Sequence, residues 1–126
     1  MTEENRRAIL EGQRVTRVCF DHTVTLLTEG GYELRLETPF SLTLADGSTL
    51  VDPQDTSTVA GVLSLLHATI KAAEYDSSGR LAIALVEGVQ VVASAHPSYE
   101  AWVITGPAGE GIVCLPGGGV SEWSGG

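Results

Sequence analysis

Short segments of alternating apolar and polar residues recur along most of this chain, and they constrain its fold more than any other feature. In the first half they lie at residues 14–20, 23–28, 32–37 and 40–45. Alternation of this kind is the pattern of a strand with one buried face. Gly30-Gly31 and Asp46-Gly47 separate neighbouring segments and suit tight hairpin turns. The first half therefore predicts an antiparallel meander.

The second half repeats this strand pattern, at residues 68–75, 80–87, 89–94, 99–105, 111–115 and 119–123. The order of turns is also similar in residues 15–40 and 70–98. In both, a turn at Asp21 or Asp76 follows the first strand, and a Glu-Gly pair follows the second. Two explanations stay open at this point: a structural duplication, or two ordinary meanders that share turn residues.

One segment departs from the strand pattern and predicts a central α-helix at about residues 55–67. Its apolar positions follow helical spacing, at Val59, Val62, Leu63, Leu66 and Ile70. Residues 56–70 contain no Asp, Glu, Lys or Arg, whereas a surface helix usually carries charge on its outer side. We therefore expect this helix to be covered on both faces, by the sheet and by a loop or a second subunit.

These patterns together predict an α+β fold, with mostly antiparallel β meanders in two similar β-rich halves and one central helix. A length of 126 residues suits one domain, spanning residues 1–126. No apolar run reaches the ~18 residues of a membrane span. Residues 1–11 lack the apolar segment of a secretory signal, so we expect a cytoplasmic protein. Cys19 and Cys114 lie in strand-like segments and are expected to be reduced thiols.

The net charge of −9 is unevenly distributed along the chain. After residue 35, only Lys71 and Arg80 stand against ten acidic side chains. Such a field repels nucleic acid and acidic membranes and attracts a basic partner. The alternative is that the charge only keeps the protein in solution. We therefore expect no nucleic-acid or membrane partner.

The sequence contains none of the motifs that identify a catalytic, cofactor or metal site. His22, His67 and His96 are too widely spaced for a zinc motif. The glycine-rich residues 106–111 and 116–119 lack the lysine, or the following helix, of a phosphate-binding loop. We predict no catalytic residue, no cofactor and no metal ligand.

Aromatic residues near the C-terminus predict a binding surface instead. The candidate residues are His96, Tyr99, Glu100, Trp102 and Trp123. Tryptophan concentrates binding energy at interfaces, and a carboxylate held against aromatic rings can serve as an acid or base. The alternatives are that both tryptophans pack in the core and that Glu100 is an ordinary exposed strand residue.

The same part of the chain carries a family resemblance. The signature consists of Tyr99-Glu100-Ala101-Trp102, Gly106-Pro107 with Gly109, Cys114-Leu115-Pro116-Gly117-Gly118 and Trp123, with Gly12, Val15, Asp21 and Pro39-Phe40 upstream. It resembles an uncharacterised family of small bacterial proteins, common in actinobacteria and known only as a domain of unknown function. The resemblance covers nearly the whole chain and implies no catalytic residue.

The function that we expect from these features is a non-enzymatic protein-interaction module. One specific form of it is an immunity-type or regulatory protein that binds a basic partner. A first alternative is a small-molecule-binding domain or minor enzyme, with a pocket between the two β halves lined by Trp102, Tyr99 and His96. A second is a structural homodimer, joined through the helix at residues 56–70 or through an exposed edge strand.

Overall fold

The computed structural model describes residues 6, 7 and 10–125, which form two six-stranded antiparallel sheets. With strands numbered in chain order, sheet 1 contains β1 (Arg6–Arg7), β7 (Ile70–Tyr75), β8 (Leu81–Leu85), β9 (Gln90–Ala93), β5 (Phe40–Leu44) and β6 (Gly47–Val51). Sheet 2 contains β12 (Val120–Trp123), β11 (Gly111–Cys114), β10 (Trp102–Thr105), β4 (Glu33–Leu36), β3 (Val24–Thr28) and β2 (Val15–Phe20).

The two sheets pack face to face around one apolar core. The strand alternation predicted from the sequence is visible in β8, where Leu81, Ile83 and Leu85 are buried and the residues between them are not. Burial alternates in the same way in β4 and β10. Side chains from both sheets belong to a single buried cluster. Such packing of two inner faces is the arrangement of a β-sandwich.

The prediction of a central α-helix at residues 55–67 is wrong, and so is the α+β fold class. The described residues contain no α-helix, and this segment forms two short 3₁₀ helices, Thr56–Thr58 and Ala60–Leu65. A third, Val86–Gly88, joins β8 to β9. The buried residues Val62 and Leu65 are three positions apart, which matches the repeat of a 3₁₀ helix. No helix in the described part of the chain has the length and apolar character needed to cross a membrane.

One face of this segment is covered by sheet 1, as expected; the described chain does not cover the other face, and cover by a second subunit stays a prediction. One side packs on β5, where the position of Gly61 faces Leu42 and Leu44. On the other side Leu63 is 58% exposed, so nothing in the described part of the chain covers it. The alternative of a homodimer joined through a helix at residues 56–70 assumed an α-helix that the described residues do not contain. The proposal of pairing through an edge strand is unaffected.

The two halves of the chain repeat one topology. β2, β3 and β4 form a meander in sheet 2, after which β5 and β6 cross to sheet 1. β7, β8 and β9 form a meander in sheet 1, after which β10 and β11 cross to sheet 2. Each crossing strand pairs with the third strand of the other half, β5 with β9 and β10 with β4. The halves are thus related by an approximate two-fold axis.

Backbone hydrogen bonds near this axis follow the same symmetry. The amide of Val15 donates to the Ala68 carbonyl at 2.9 Å, and the amide of Ile70 donates to the Gln13 carbonyl at 2.8 Å. The first strands of both halves, β2 and β7, carry a register shift after their first residue. The similar turn order seen in the sequence therefore reflects a repeated topology.

Candidate binding site

The two halves differ in the turn that follows their first strand. Two residues separate Asp21 from β3, whereas four residues separate Asp76 from β8. The longer turn reaches sheet 2, where the Gly79 carbonyl accepts a hydrogen bond of 2.9 Å from Trp102 Nε1. The amide of Gly119 donates to the Ser78 carbonyl at 3.2 Å. Direct contacts therefore join the longer turn to sheet 2.

The shorter turn of the first half leaves a crevice at the corresponding place. The cavity has a volume of about 410 Å³ and is lined by His22, Thr23, Glu37, Thr38, Pro39, Asp52, Gln54, His96 and Tyr99. Phe40 begins β5 as Trp102 begins β10, but a phenyl ring has no N–H group with which to hold a turn. The crevice is thus where the repeat departs from its symmetry.

An aromatic pair forms one wall of this crevice. The ring centroids of His96 and Tyr99 are 5.0 Å apart. The amide of Ser98 donates to His96 Nδ1 at 3.0 Å, which fixes the orientation of the imidazole ring. Tyr99 is 64% exposed, so its ring is available to a ligand. The wall therefore offers a positioned aromatic surface.

Two carboxylates complete the polar lining of the crevice. Glu37 follows β4, and Asp52 follows β6 and accepts the Gln54 amide at 3.0 Å. None of the residues that line the crevice is Lys or Arg. The adjoining groove contains Arg35, which pairs with Glu33 at 3.4 Å. The crevice therefore carries negative charge that its own lining does not neutralise.

The turn aspartates at the two ends hold their turns through their side chains. Asp21 Oδ1 accepts the Thr23 amide at 2.9 Å, and this bond is the main cause that lowers the pKa of Asp21. Asp76 Oδ1 accepts the Ser78 hydroxyl, which contributes most to its lowered pKa, and also the amides of Ser78 and Arg80. Both turns therefore depend on ionised carboxylates.

This dependence predicts a loss of stability in acid. A folded-state pKa below the ordinary value of 3.8 means that the stabilisation is complete above that value and is lost as the pH falls through the folded pKa. We expect wild-type protein to lose more free energy of unfolding between about pH 5 and pH 3 than Asp76→Asn does. Urea unfolding monitored by tryptophan fluorescence measures the difference. Asp46→Asn, in a different turn, is the control, and equal losses in Asp76→Asn and wild type would contradict this account.

The structure brings together only part of the binding surface predicted from the sequence. His96 and Tyr99 line the crevice, and Glu100 is exposed beside them. Trp102 is 0% exposed and lies in the core, with its ring centroid 6.0 Å from that of Tyr75. Trp123 is on the edge strand β12, and its ring lies over Gly111 of the neighbouring strand β11. Its Nε1 donates to the Gly109 carbonyl at 2.7 Å.

Sequence reasoning did not assign Glu37 and Asp52 to the site. Both directly follow strands and stand one or two positions before a proline, Pro39 or Pro53. The sequence signal that could have identified them is an acidic residue at the end of a strand, shortly before a proline. Their proximity depends on β6, a strand that the sequence analysis did not predict.

A second cavity, of about 490 Å³, lies beside the longer turn of the second half and is lined by Arg6, Tyr75, Asp76, Ser77, Val120 and Glu122. Its polar groups bind one another: the Tyr75 hydroxyl donates to Glu122 Oε1, and Arg6 pairs with the same oxygen at 3.2 Å. Burial is the main cause that raises the pKa of Tyr75. These contacts connect β1 and β7 of sheet 1 to β12 of sheet 2. Because the three side chains already bind one another, fewer polar groups are left for a ligand.

Metal and disulfide chemistry find no support in the described residues. They contain no group of three or more His, Cys, Asp or Glu side chains placed to hold a metal ion. Cys19 and Cys114 are both free thiols. Burial is the main cause that raises the pKa of Cys114, so a smaller fraction of this thiol is ionised at neutral pH.

Comparison with known proteins identifies a family but no activity. A family model described as "Family of unknown function (DUF6188)" matches residues 7–124. This confirms the predicted resemblance to a domain of unknown function across nearly the whole chain. Searches of curated proteins and of solved structures return no match.

Proposed function

The chain belongs to a family of unknown function, DUF6188, and we propose from the crevice itself that the protein is a binding module for a basic protein partner. The crevice receives a positively charged side chain of that partner. One observation carries the proposal: two carboxylates and an exposed tyrosine ring share a cavity whose lining contains no Lys or Arg.

The chemistry of the lining favours a guanidinium group. Glu37 and Asp52 supply carboxylate oxygens, with which arginine forms charge-assisted hydrogen bonds. The faces of aromatic rings attract cations, and a planar guanidinium also stacks on them, which Tyr99 and His96 permit. Arginine therefore uses both parts of the crevice, whereas a neutral side chain of the same shape uses only the ring.

The charge of the whole protein supports a macromolecular partner. At a net charge of −9, long-range attraction raises the rate of encounter with a basic surface. An immunity-type or regulatory protein that neutralises a basic toxin or enzyme would use this attraction. We include the cytoplasmic location and the actinobacterial origin inferred from the sequence in this proposal.

Titration of isotopically labelled protein with N-acetyl-arginine N-methylamide tests the proposal by NMR. We expect shifts of the Thr23, Thr38, Gln54 and Tyr99 amides that saturate. Glu37→Gln and Asp52→Asn should each weaken binding by roughly two- to fivefold, as expected for a partly exposed ion pair.

The matched control ligand is the citrulline derivative, which has the shape of arginine without its charge. A matched control variant is Glu87→Gln, since Glu87 is an exposed acidic residue in the turn before β9 and does not line the crevice. Equal shifts with arginine and citrulline, or equal effects of Glu87→Gln and Asp52→Asn, would refute binding of a cation in the crevice.

A small cationic molecule is the second candidate ligand. The volume of about 410 Å³ supports it, because small-molecule sites usually measure roughly 300–1,000 Å³. A thermal-shift screen with amines and guanidines separates this candidate from the first. A specific small ligand raises the melting temperature in proportion to the logarithm of its concentration well above Kd, and Asp52→Asn should reduce the rise at each concentration.

A further inference from the structure

The free edge of sheet 1 leads directly into the crevice. β6 is the last strand of this sheet, and Asp52, which lines the crevice, is the first residue after it. Leu44 pairs with Gly47 across a two-residue turn. Hydrogen-bonded and non-hydrogen-bonded pairs alternate along an antiparallel ladder. The backbone N–H and C=O groups of Ser48 and Leu50 therefore point away from β5, to the open edge.

β6 lacks the features that protect the other edge strands of the described chain. β1 has only two residues, β2 carries Arg17 and a register shift, and β12 carries Glu122. β6 is uncharged, contains no proline and pairs with β5 in a regular register. Charge, shortness and bulges are the usual means of preventing strand addition. Leu50 on this strand is 66% exposed.

Charge distinguishes between the two occupants that could pair with this edge. Asp46 and Asp52 flank the uncharged strand, and Asp55 follows in the next turn. A second copy would add its own net charge of −9 and would place like charges close together. An extended basic segment meets attraction at both ends of the strand and in the crevice beyond it.

We propose that β6 is a docking edge for an extended, basic segment of the partner, which adds a strand to sheet 1 and places an arginine or lysine in the crevice. The main-chain hydrogen bonds of strand addition supply affinity, and the crevice supplies specificity. This inference rests on the proposed function, because the crevice selects the segment.

A random linear peptide library, displayed on phage and selected against the full chain, tests the inference. We expect enriched peptides to combine β-branched residues with Arg or Lys. When such a peptide is added to the labelled protein, the amides of Ser48 and Leu50 should exchange with solvent at least about tenfold more slowly, because strand pairing protects them. Leu50→Lys should weaken binding more than Thr43→Lys, which places the same charge one strand inside the edge.

Failure of the inference can be told apart from failure of the proposed function. Peptides that shift the crevice amides but leave exchange at Ser48 and Leu50 unchanged overturn strand addition and leave the crevice function standing. Enrichment of peptides without basic residues, or binding insensitive to Asp52→Asn, contradicts both. Exchange protection that rises with protein concentration alone, together with a dimer in light scattering, assigns the edge to a second copy and overturns the inference.

Discussion

Replacement of Gly79 by alanine is expected to lower the free energy of unfolding by about 3 kcal/mol. Gly79 has a φ of +95°, which strains any other residue. A Cβ there would lie 2.7 Å from Cys114 Sγ and 3.3 Å from the Gly119 carbonyl oxygen. The shift needed to relieve these contacts also disturbs the hydrogen bond from Trp102 to the Gly79 carbonyl. Chemical denaturation at neutral pH measures the loss.

A second glycine separates crowding from backbone strain. Gly88 also has a positive φ, of +77°, but a Cβ added there meets nothing within 4 Å. Gly88→Ala should therefore cost only about 1 kcal/mol, the ordinary penalty for this conformation. Removal of the sulfur in Gly79→Ala/Cys114→Ala should recover part of the loss. Equal losses in Gly79→Ala and Gly88→Ala would contradict the close contacts described between Gly79 and sheet 2.

Truncation of Trp102 to alanine is expected to lower the free energy of unfolding by about 3–5 kcal/mol. The side chain is fully buried, and its Nε1 holds the Gly79 carbonyl at 2.9 Å. Trp102→Phe keeps most of the ring but leaves that carbonyl with only the weak donor Cys114 Sγ, at 3.5 Å. It should therefore lose less than the alanine variant but still about 1–3 kcal/mol.

The two tryptophans provide a matched comparison. Trp123 is partly exposed at the sheet edge, so Trp123→Phe should cost clearly less than Trp102→Phe. Urea unfolding followed by far-UV circular dichroism measures both losses. If Trp102→Phe left stability unchanged yet weakened binding of the arginine probe, Trp102 would belong to the binding surface and not to the core.

The strands could be predicted from the sequence because one side of each sheet is buried. Leu81, Ile83 and Leu85 alternate with smaller residues, and burial follows the same alternation. The order of turns also indicated the two similar halves. β6 could not be predicted in this way, because Gly47, Ser48, Thr49 and Leu50 are all exposed and show no alternation.

The prediction of a central helix was wrong for a physical reason that apolar spacing alone does not reveal. Val59, Val62 and Leu63 satisfy α-helical spacing, but Val62 and Leu65 are the residues that the fold buries. Runs with apolar residues three apart fit both helix types over one or two turns. Pairing of residues 13–15 with residues 68–70 then ends the segment, and such long-range hydrogen bonds overcome local propensity.

Only the aromatic part of the candidate site, His96 and Tyr99, was predicted from the sequence. His96 and Tyr99 are close in the chain, so their association required only a local loop. Glu37 and Asp52 come from separate strand ends, and a turn two residues shorter than its counterpart keeps the space between them open. That comparison requires the approximate two-fold axis, which appears only when the two sheets are assembled.

The central claim is that the crevice lined by Glu37, Asp52 and Tyr99 binds a cation, and intermolecular nuclear Overhauser effects test it most directly. With N-acetyl-arginine N-methylamide bound, we predict such effects between the arginine side-chain methylenes and the ring protons of Tyr99. Asp52→Asn should reduce them. Effects that involve the ring of Trp123 instead, or none to Tyr99 at saturating ligand, would contradict the claim.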